Sequence, residues 1–293
     1  MRSAPLESAR AAHAPSTRED HNSEHEREAV LDPTPGALSD RAPSTPIQRA
    51  ASAHGSSPVL VSRPWSATQR RYFVVKRSVD IVAASVLLVL ASPLLVAVVI
   101  AIKLESKGPA LFRQQRIRGR QIDRGPGWAL EPFQLYKFRT MVADADPALH
   151  RRYIEAYITR DKVTLAALRP GRVNGDSYRP LRDPRVTRVG AVLRKLSLDE
   201  LPQLWNVLRG DMSLVGPRPP LSYEVAKYGE HDILRLTTPQ GITGLAQVRG
   251  RCSIGFDDLI RYDHEYLASQ SIWLDLKVLA RTLPVVLSRR GAD

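Results

Sequence analysis

Apolar and polar positions follow three different regimes along the chain. Residues 1–64 show neither a helical nor an alternating apolar period, contain no aromatic residue and are rich in Pro, Ser, Ala and His. Such a segment cannot bury enough apolar surface to offset its ordering entropy, so residues 1–68 read as a disordered polar tail. The second regime is Ile81–Ile102, IVAASVLLVLASPLLVAVVIAI, 22 residues without a charge. At about 1.5 Å per residue it is long enough for a bilayer core, and a soluble core helix is rarely apolar all round at this length. The third regime alternates short periods. LFRQQRI and PFQLYKFRTM predict extended segments around a Gly/Pro loop, RGRQIDRGPGW. Helical spacing predicts helices over 146–168, 189–209, 221–230, 256–268 and 272–289, with 170–185 as a loop. The fold class expected is α+β and helix-rich.

Two features qualify the apolar segment. Ser92-Pro93 lies at its middle, where proline removes the amide that would bond the Val89 carbonyl and Ser92 can offer its hydroxyl one turn back. A bend is expected there. Arg70, Arg71, Lys76 and Arg77 precede the segment and Lys103, Lys107, Arg113 and Arg116 follow it, so the positive-inside rule places both flanks in the cytoplasm. A kinked helix that enters and leaves one leaflet satisfies both; a single pass with an incidental kink is the competing reading. Near the end, Trp273, Leu274, Leu276, Val278, Leu279 and Leu283 form a stripe beside Lys277 and Arg281. That pattern serves core packing or a helix lying among lipid headgroups.

Charge narrows the partners. The formal net charge is +13, and residues 1–70 hold eight charges of each sign, so the excess belongs to residues 71–293. A field of that sign favours nucleic acid, a phosphorylated small molecule or an acidic lipid surface. No recognition helix, finger or RNA-binding signature is present, and nucleic acid leaves the apolar segment unexplained. The single cysteine, Cys252, excludes an intramolecular disulfide and a thiolate metal cluster. His13, His21, His25 and His54 are spaced too irregularly for a metal site. The start of the chain lacks the pattern of a secretory signal, so the active part is expected to stay inside the cell.

The richest chemistry lies in Asp183–Pro220, DPRVTRVGAVLRKLSLDELPQLWNVLRGDMSLVGPRPP. Ser197 followed by Glu200 is a capping-box pattern, and carboxylates in a first helical turn favour the helix dipole without any catalysis. The neighbours change the picture: Arg185, Arg188, Arg194 and Lys195 precede Asp199 and Glu200, and Arg209 and Arg218 follow. Adjacent carboxylates among guanidinium groups can bind a divalent ion and a diphosphate together, and a carboxylate so placed can attack phosphorus. Lys137 and Arg139 in YKFRTM, and Gly241, Gly244, Gly250, Arg249 and Arg251 in the GITGLAQVRGR stretch, are similarly suited to phosphate. Cys252 is read as inert, and Asp263 in RYDHEYL as a surface charge or an arginine's partner.

Together these strings resemble the monotopic phosphoglycosyl transferases, or bacterial sugar transferases, from about Lys76 to about Leu287. The resemblance rests on KRSVDIV with its downstream Ser-Pro, YKFRTM, the Asp183–Pro219 stretch, GITGLAQVRGR and WLDLKVL. It implies a monotopic membrane protein of the bacterial inner membrane, with a re-entrant helix region at 69–110 and a small cytoplasmic catalytic domain at 111–293. The implied reaction moves a sugar-1-phosphate from an NDP-sugar, expected to be a UDP-sugar, to polyprenyl phosphate, opening the assembly of exopolysaccharide or another surface glycan. Asp199 is the implied nucleophile, Glu200 its partner in holding Mg²⁺ or handling protons. Arg194 and Arg251 fall at basic positions linked to the active site, and Ser92 and Pro93 match the helix break. Larger relatives carry several membrane helices and another domain before this core, so the chain is expected among the compact forms. Arg249 and Cys252 stand where many relatives are expected to carry Asn. The alternative class is a membrane-anchored scaffold or anionic-lipid binder whose carboxylates only cap a helix. Donor sugar, pathway and oligomeric state are not legible.

Overall fold

A long apolar helix organises the computed structural model, which describes residues 49–50, 59–61, 66–122, 127–142, 148–168, 185–250 and 254–287, all within one unit, Arg41–Asp293. This helix, α1, spans Ala67–Glu105. Ser66 starts it with a capping box: its hydroxyl accepts from the Gln69 amide at 3.2 Å, and the Gln69 side chain accepts from the Ser66 amide at 3.0 Å. Its 39 residues make it about 58 Å long at 1.5 Å per residue. It alone among the described residues is long and apolar enough to cross a membrane, and 11% of its most apolar stretch is buried. Val89 and Leu90 are each 72% exposed, so this is not the core helix of a soluble domain. The helix continues through Pro93. Ser92 Oγ donates at 2.8 Å to the Val89 carbonyl that proline leaves without an amide. The pair expected to break the helix therefore sits inside one continuous element, held by the expected side-chain substitute.

The alternating segments form a long antiparallel hairpin, β3 (Leu111–Gln121) with β4 (Gly127–Phe138), after two short strands, β1 (Arg49–Ala50) and β2 (Val59–Val61). The sheet order is β1-β2-β4-β3. β1 and β2 lie in the stretch expected to be without order. The open edge of β4 offers an unpaired ladder to any short extended segment, and periodicity does not reveal this. The remainder of that stretch, with its four histidines, lies outside the described residues.

The predicted 146–168 helix is two, α2 (Ala148–Ile158) and α3 (Lys162–Leu168), separated by Arg160 at φ +59°. The predicted 189–209 helix is also two, α4 (Arg188–Lys195) and α5 (Gln203–Arg209), with a 3₁₀ turn, Leu198–Glu200, between them. A parallel pair, β5 (Ser213–Val215) and β6 (Gly241–Thr243), flanks α6 (Ser222–Val225), which is far shorter than the predicted 221–230. Then come α7 (Leu245–Arg249), α8 (Phe256–Ala268) and α9 (Ile272–Leu287).

Both ends of α1 are fastened to this body. Near its start, Lys76 and Asp275 of α9 form a buried ion pair at 2.8 Å, and the hydroxyls of Tyr72 and Tyr266 donate to the same carboxylate at 3.0 and 2.8 Å. Arg77 donates to the Val207 and Leu208 carbonyls at 2.5 and 2.8 Å, closing the C-terminus of α5. Ala84 packs with Leu204, Val207, Tyr266 and Val278. At the far end, Val98 and Ile102 pack with Phe138 and Leu193, and Glu105 accepts from the Arg188 amide at 2.7 Å and the Val189 amide at 3.1 Å, capping α4. The α9 stripe divides: Val278 enters the core, while Trp273, Leu276 and Leu283 face outward, with Lys277 over the Trp273 ring at 5.4 Å.

Candidate active site

Asp199 lies where one helix is denied continuation. Thr187 Oγ1 caps α4 by accepting from the Gly190 amide at 3.0 Å. The chain then turns through Ser197 at φ +54°, a left-handed conformation that costs a serine about 1–2 kcal/mol. Pro202 has no amide to give the Leu198 carbonyl, which takes the Leu201 amide instead at 3.2 Å. The expected capping box is absent, since Ser197 makes no side-chain cap bond. The break leaves Asp199 and Glu200 in a tight turn whose carboxylates face a cavity of about 310 Å³.

Glu200 is held from two sides. Arg218 Nη2 meets Glu200 Oε1 at 2.6 Å and Arg218 Nη1 meets Oε2 at 3.4 Å, while Lys137 Nζ lies 3.5 Å from Oε1. Burial pushes the Lys137 ammonium down to about 8, with repulsion from Arg218 and Arg116 added and the pull of Glu200 and Asp199 opposing. Arg194 also lines the cavity, its Nε donating to Thr140 Oγ1 at 2.9 Å. Asp199 is 7% exposed, a buried carboxylate that shares the cavity lining with Arg194 and Arg218. Leu87 and Ala91 of α1 and Val285 and Val286 of α9 line the same cavity, so its polar end and an apolar wall from α1 and α9 belong to one space.

The loop carrying Arg218 is placed by close backbone packing. The Gly216 amide donates to the Thr243 carbonyl and the Gly241 amide to the Pro217 carbonyl, both at 2.9 Å. A Cβ on Gly241 would come within 2.1 Å of the Gly216 nitrogen, so the glycine serves close approach and not a positive φ. Arg116, buried beneath, donates to the Pro219 carbonyl at 2.9 Å.

The other candidate residues separate. Arg139 does not line the cavity; it donates to the Lys107 and Ser106 carbonyls at 2.6 and 2.8 Å and so closes the C-terminus of α1. Arg185 and Arg188 flank the start of α4 and do not line the cavity either. Arg251 and Cys252 lie outside the described residues. Asp263 is no surface charge: it is 1% exposed and pairs with Arg235 Nη2 at 2.7 Å, and that nitrogen also donates to the Arg218 carbonyl at 3.1 Å. Glu224, likewise buried at the cavity, has its carboxyl raised by burial against the pull of Arg116 and Arg235. Sequence reasoning missed Glu224, Arg235 and Gln247, single polar residues that tertiary packing brings to the cavity lining, and Thr140 and Arg116, which bond Arg194 and the Pro219 carbonyl beside it.

Residues 71–289 match the family model for bacterial sugar transferases. The chain belongs to that family. This bacterial sugar transferase is 35% identical over 251 residues to the exopolysaccharide production protein ExoY of Rhizobium meliloti, covering 83% of this chain and 99% of ExoY. It is 42% identical over 226 residues to the UDP-glucose:undecaprenyl-phosphate glucose-1-phosphate transferase of Caulobacter vibrioides, covering 74% of this chain and 71% of that protein. Against the galactosyl transferase CpsE of Streptococcus agalactiae it is 38% identical over 223 residues, covering 75% of this chain and 44% of CpsE. This transferase thus spans less than half of some relatives it matches.

Proposed function

We propose that the protein is a phosphoglycosyl transferase that moves a sugar-1-phosphate from a UDP-sugar to undecaprenyl phosphate through a phosphosugar bonded to Asp199. The observation that carries this reading is a single cavity joining the Asp199–Glu200 turn, with Arg194 and Arg218, to an apolar wall from α1 and α9. Such a space serves a charged nucleotide-sugar at one end and a lipid phosphate at the other.

In the first half-reaction an Asp199 oxygen attacks the phosphorus that bears the sugar; the bond from that phosphorus to the nucleoside monophosphate breaks, and the monophosphate leaves. In the second, an oxygen of the lipid phosphate attacks the same phosphorus and the aspartyl bond breaks, regenerating the carboxylate. Arg194 and Arg218 are positioned to bind the diphosphate oxygens as charge develops. Glu200, held by Arg218 and Lys137, fixes the orientation of the turn. Asp199 and Glu200 suit Mg²⁺, which takes one or two carboxylates together with substrate phosphates; when bound, the ion neutralises diphosphate charge.

For the anchor, the attachments at the two ends of α1 support a re-entrant arrangement facing the cytoplasm at the inner membrane. Arg77 and Glu105 bind α5 and α4 of one body, whereas a straight pass across about 30 Å of hydrocarbon would separate the flanks. The test is release of UMP from a panel of UDP-sugars by the purified full chain, with undecaprenyl phosphate and Mg²⁺ present. Release that requires both additions is expected; no release with any donor rejects the reading.

A further inference from the structure

The same cavity holds a polar side chain that none of this chemistry uses. Gln247 of α7 lines it together with Asp199, Glu200 and Arg218. Both Oε1 and Nε2 of Gln247 are buried, and neither has a hydrogen-bond partner among the described residues. Leaving a buried polar group unsatisfied is costly, and native structures do so at few places, many of them functional. The seat is specific. A Cβ on Gly244 would lie 2.8 Å from Gln247 Oε1 and 2.3 Å from the Gly216 carbonyl oxygen, so the glycine leaves the room the amide occupies.

A carboxamide asks for two things at once, a donor for Oε1 and an acceptor for Nε2. Ionised phosphates supply acceptors only, and an isoprenoid chain supplies neither. A nucleotide-sugar supplies both, either as neighbouring hydroxyls of the sugar or as the imide edge of a pyrimidine, where an N–H lies between two carbonyls. We infer that Gln247 is a specificity-determining residue that pairs with such a donor-and-acceptor edge of the nucleotide-sugar. The inference rests on the proposed function and names a recognition contact within it.

The experiment uses the full chain and Gln247→Met, an apolar replacement of similar shape, with a thermal melt to confirm folding. Each is assayed for nucleoside monophosphate release with the preferred UDP-sugar, its monodeoxy-sugar analogues, and the same donor methylated at N3 of uracil. The variant is expected to melt no earlier than wild type and to lose about ten- to a hundred-fold in kcat/KM, the scale of an unmet buried hydrogen bond. Wild type should be penalised by one class of analogue while Gln247→Met is indifferent to it: a deoxy sugar identifies the hydroxyls, the methylated base the imide. Unchanged kcat/KM in the variant, or the same penalties in both proteins, overturns the inference and leaves the amide to solvent or to packing. If Gln247→Met melts early, Gln247→Glu of equal size is put through the same comparison. Failure of the wild type with every donor is a different result, since it rejects the functional reading itself.

Discussion

At the scale of single residues, the pairing of Arg218 with Glu200 is geometric as well as electrostatic. Two guanidinium nitrogens face two carboxylate oxygens, and lysine cannot reproduce that fork. Arg218→Lys is therefore expected to lower kcat/KM about ten- to a hundred-fold with little change in melting temperature. His264 gives a test by pH. Burial, then the charge of His231 stacked 4.2 Å away, lowers its pKa from 6.5 to about 4. As pH falls below 6.5 the unfolded chain takes up this proton before the folded one, so stability is lost between pH 6.5 and 4. The melting temperature of His264→Gln should fall less steeply over that interval. Asp199 and Glu200 stand out in the sequence as adjacent carboxylates between arginines, a pattern that also fits a helix cap; the structure puts both on the cavity. Arg139 was misleading for a definite reason: alternation puts it on the same face as Lys137, but β4 ends at Phe138 and the chain turns away.

At the scale of elements, periodicity locates α8, α9, the apolar helix and two extended segments; the structure pairs the latter as β3 and β4, whose ends run into the loop expected at 118–128 because cross-strand pairing continues past the apolar alternation. Periodicity ran α4 and α5 together because apolar spacing continues across the turn, while the interruption comes from a serine in a left-handed conformation and a missing proline amide. The polar clamp under α1 was equally hidden, since Lys76 and Asp275 are far apart in sequence. Asp275→Asn removes the carboxylate bonded to the buried Lys76 ammonium, leaving Asp80 as an acidic neighbour, and is expected to cost about 3–5 kcal/mol in thermal unfolding of the detergent-solubilised protein. Joint replacement, Lys76→Met with Asp275→Leu, should recover most of that loss; an equal or larger loss in the double variant would show that the pair acts through something other than charge.

For the whole molecule, the proposed function links an anchor to a reaction. On that proposal, a cavity walled by an anchored α1 spares the catalyst from drawing a long isoprenoid into water, and a covalent intermediate lets a soluble donor and a membrane acceptor arrive at different times. The anchor predicts that single cysteines at Arg71 and Lys107, in a Cys252→Ser background, react with an impermeant maleimide in inside-out vesicles and that neither reacts in intact spheroplasts. Opposite sidedness would mean a single pass. The reaction is tested most directly by incubating the protein with UDP-sugar and Mg²⁺ in the absence of lipid acceptor and measuring its intact mass. The account predicts a mass gain of one sugar phosphate, located on the peptide containing Asp199, lost on adding undecaprenyl phosphate and never formed by Asp199→Asn. Turnover by the wild type with no such adduct under single-turnover conditions, or an adduct that persists in Asp199→Asn, would contradict it.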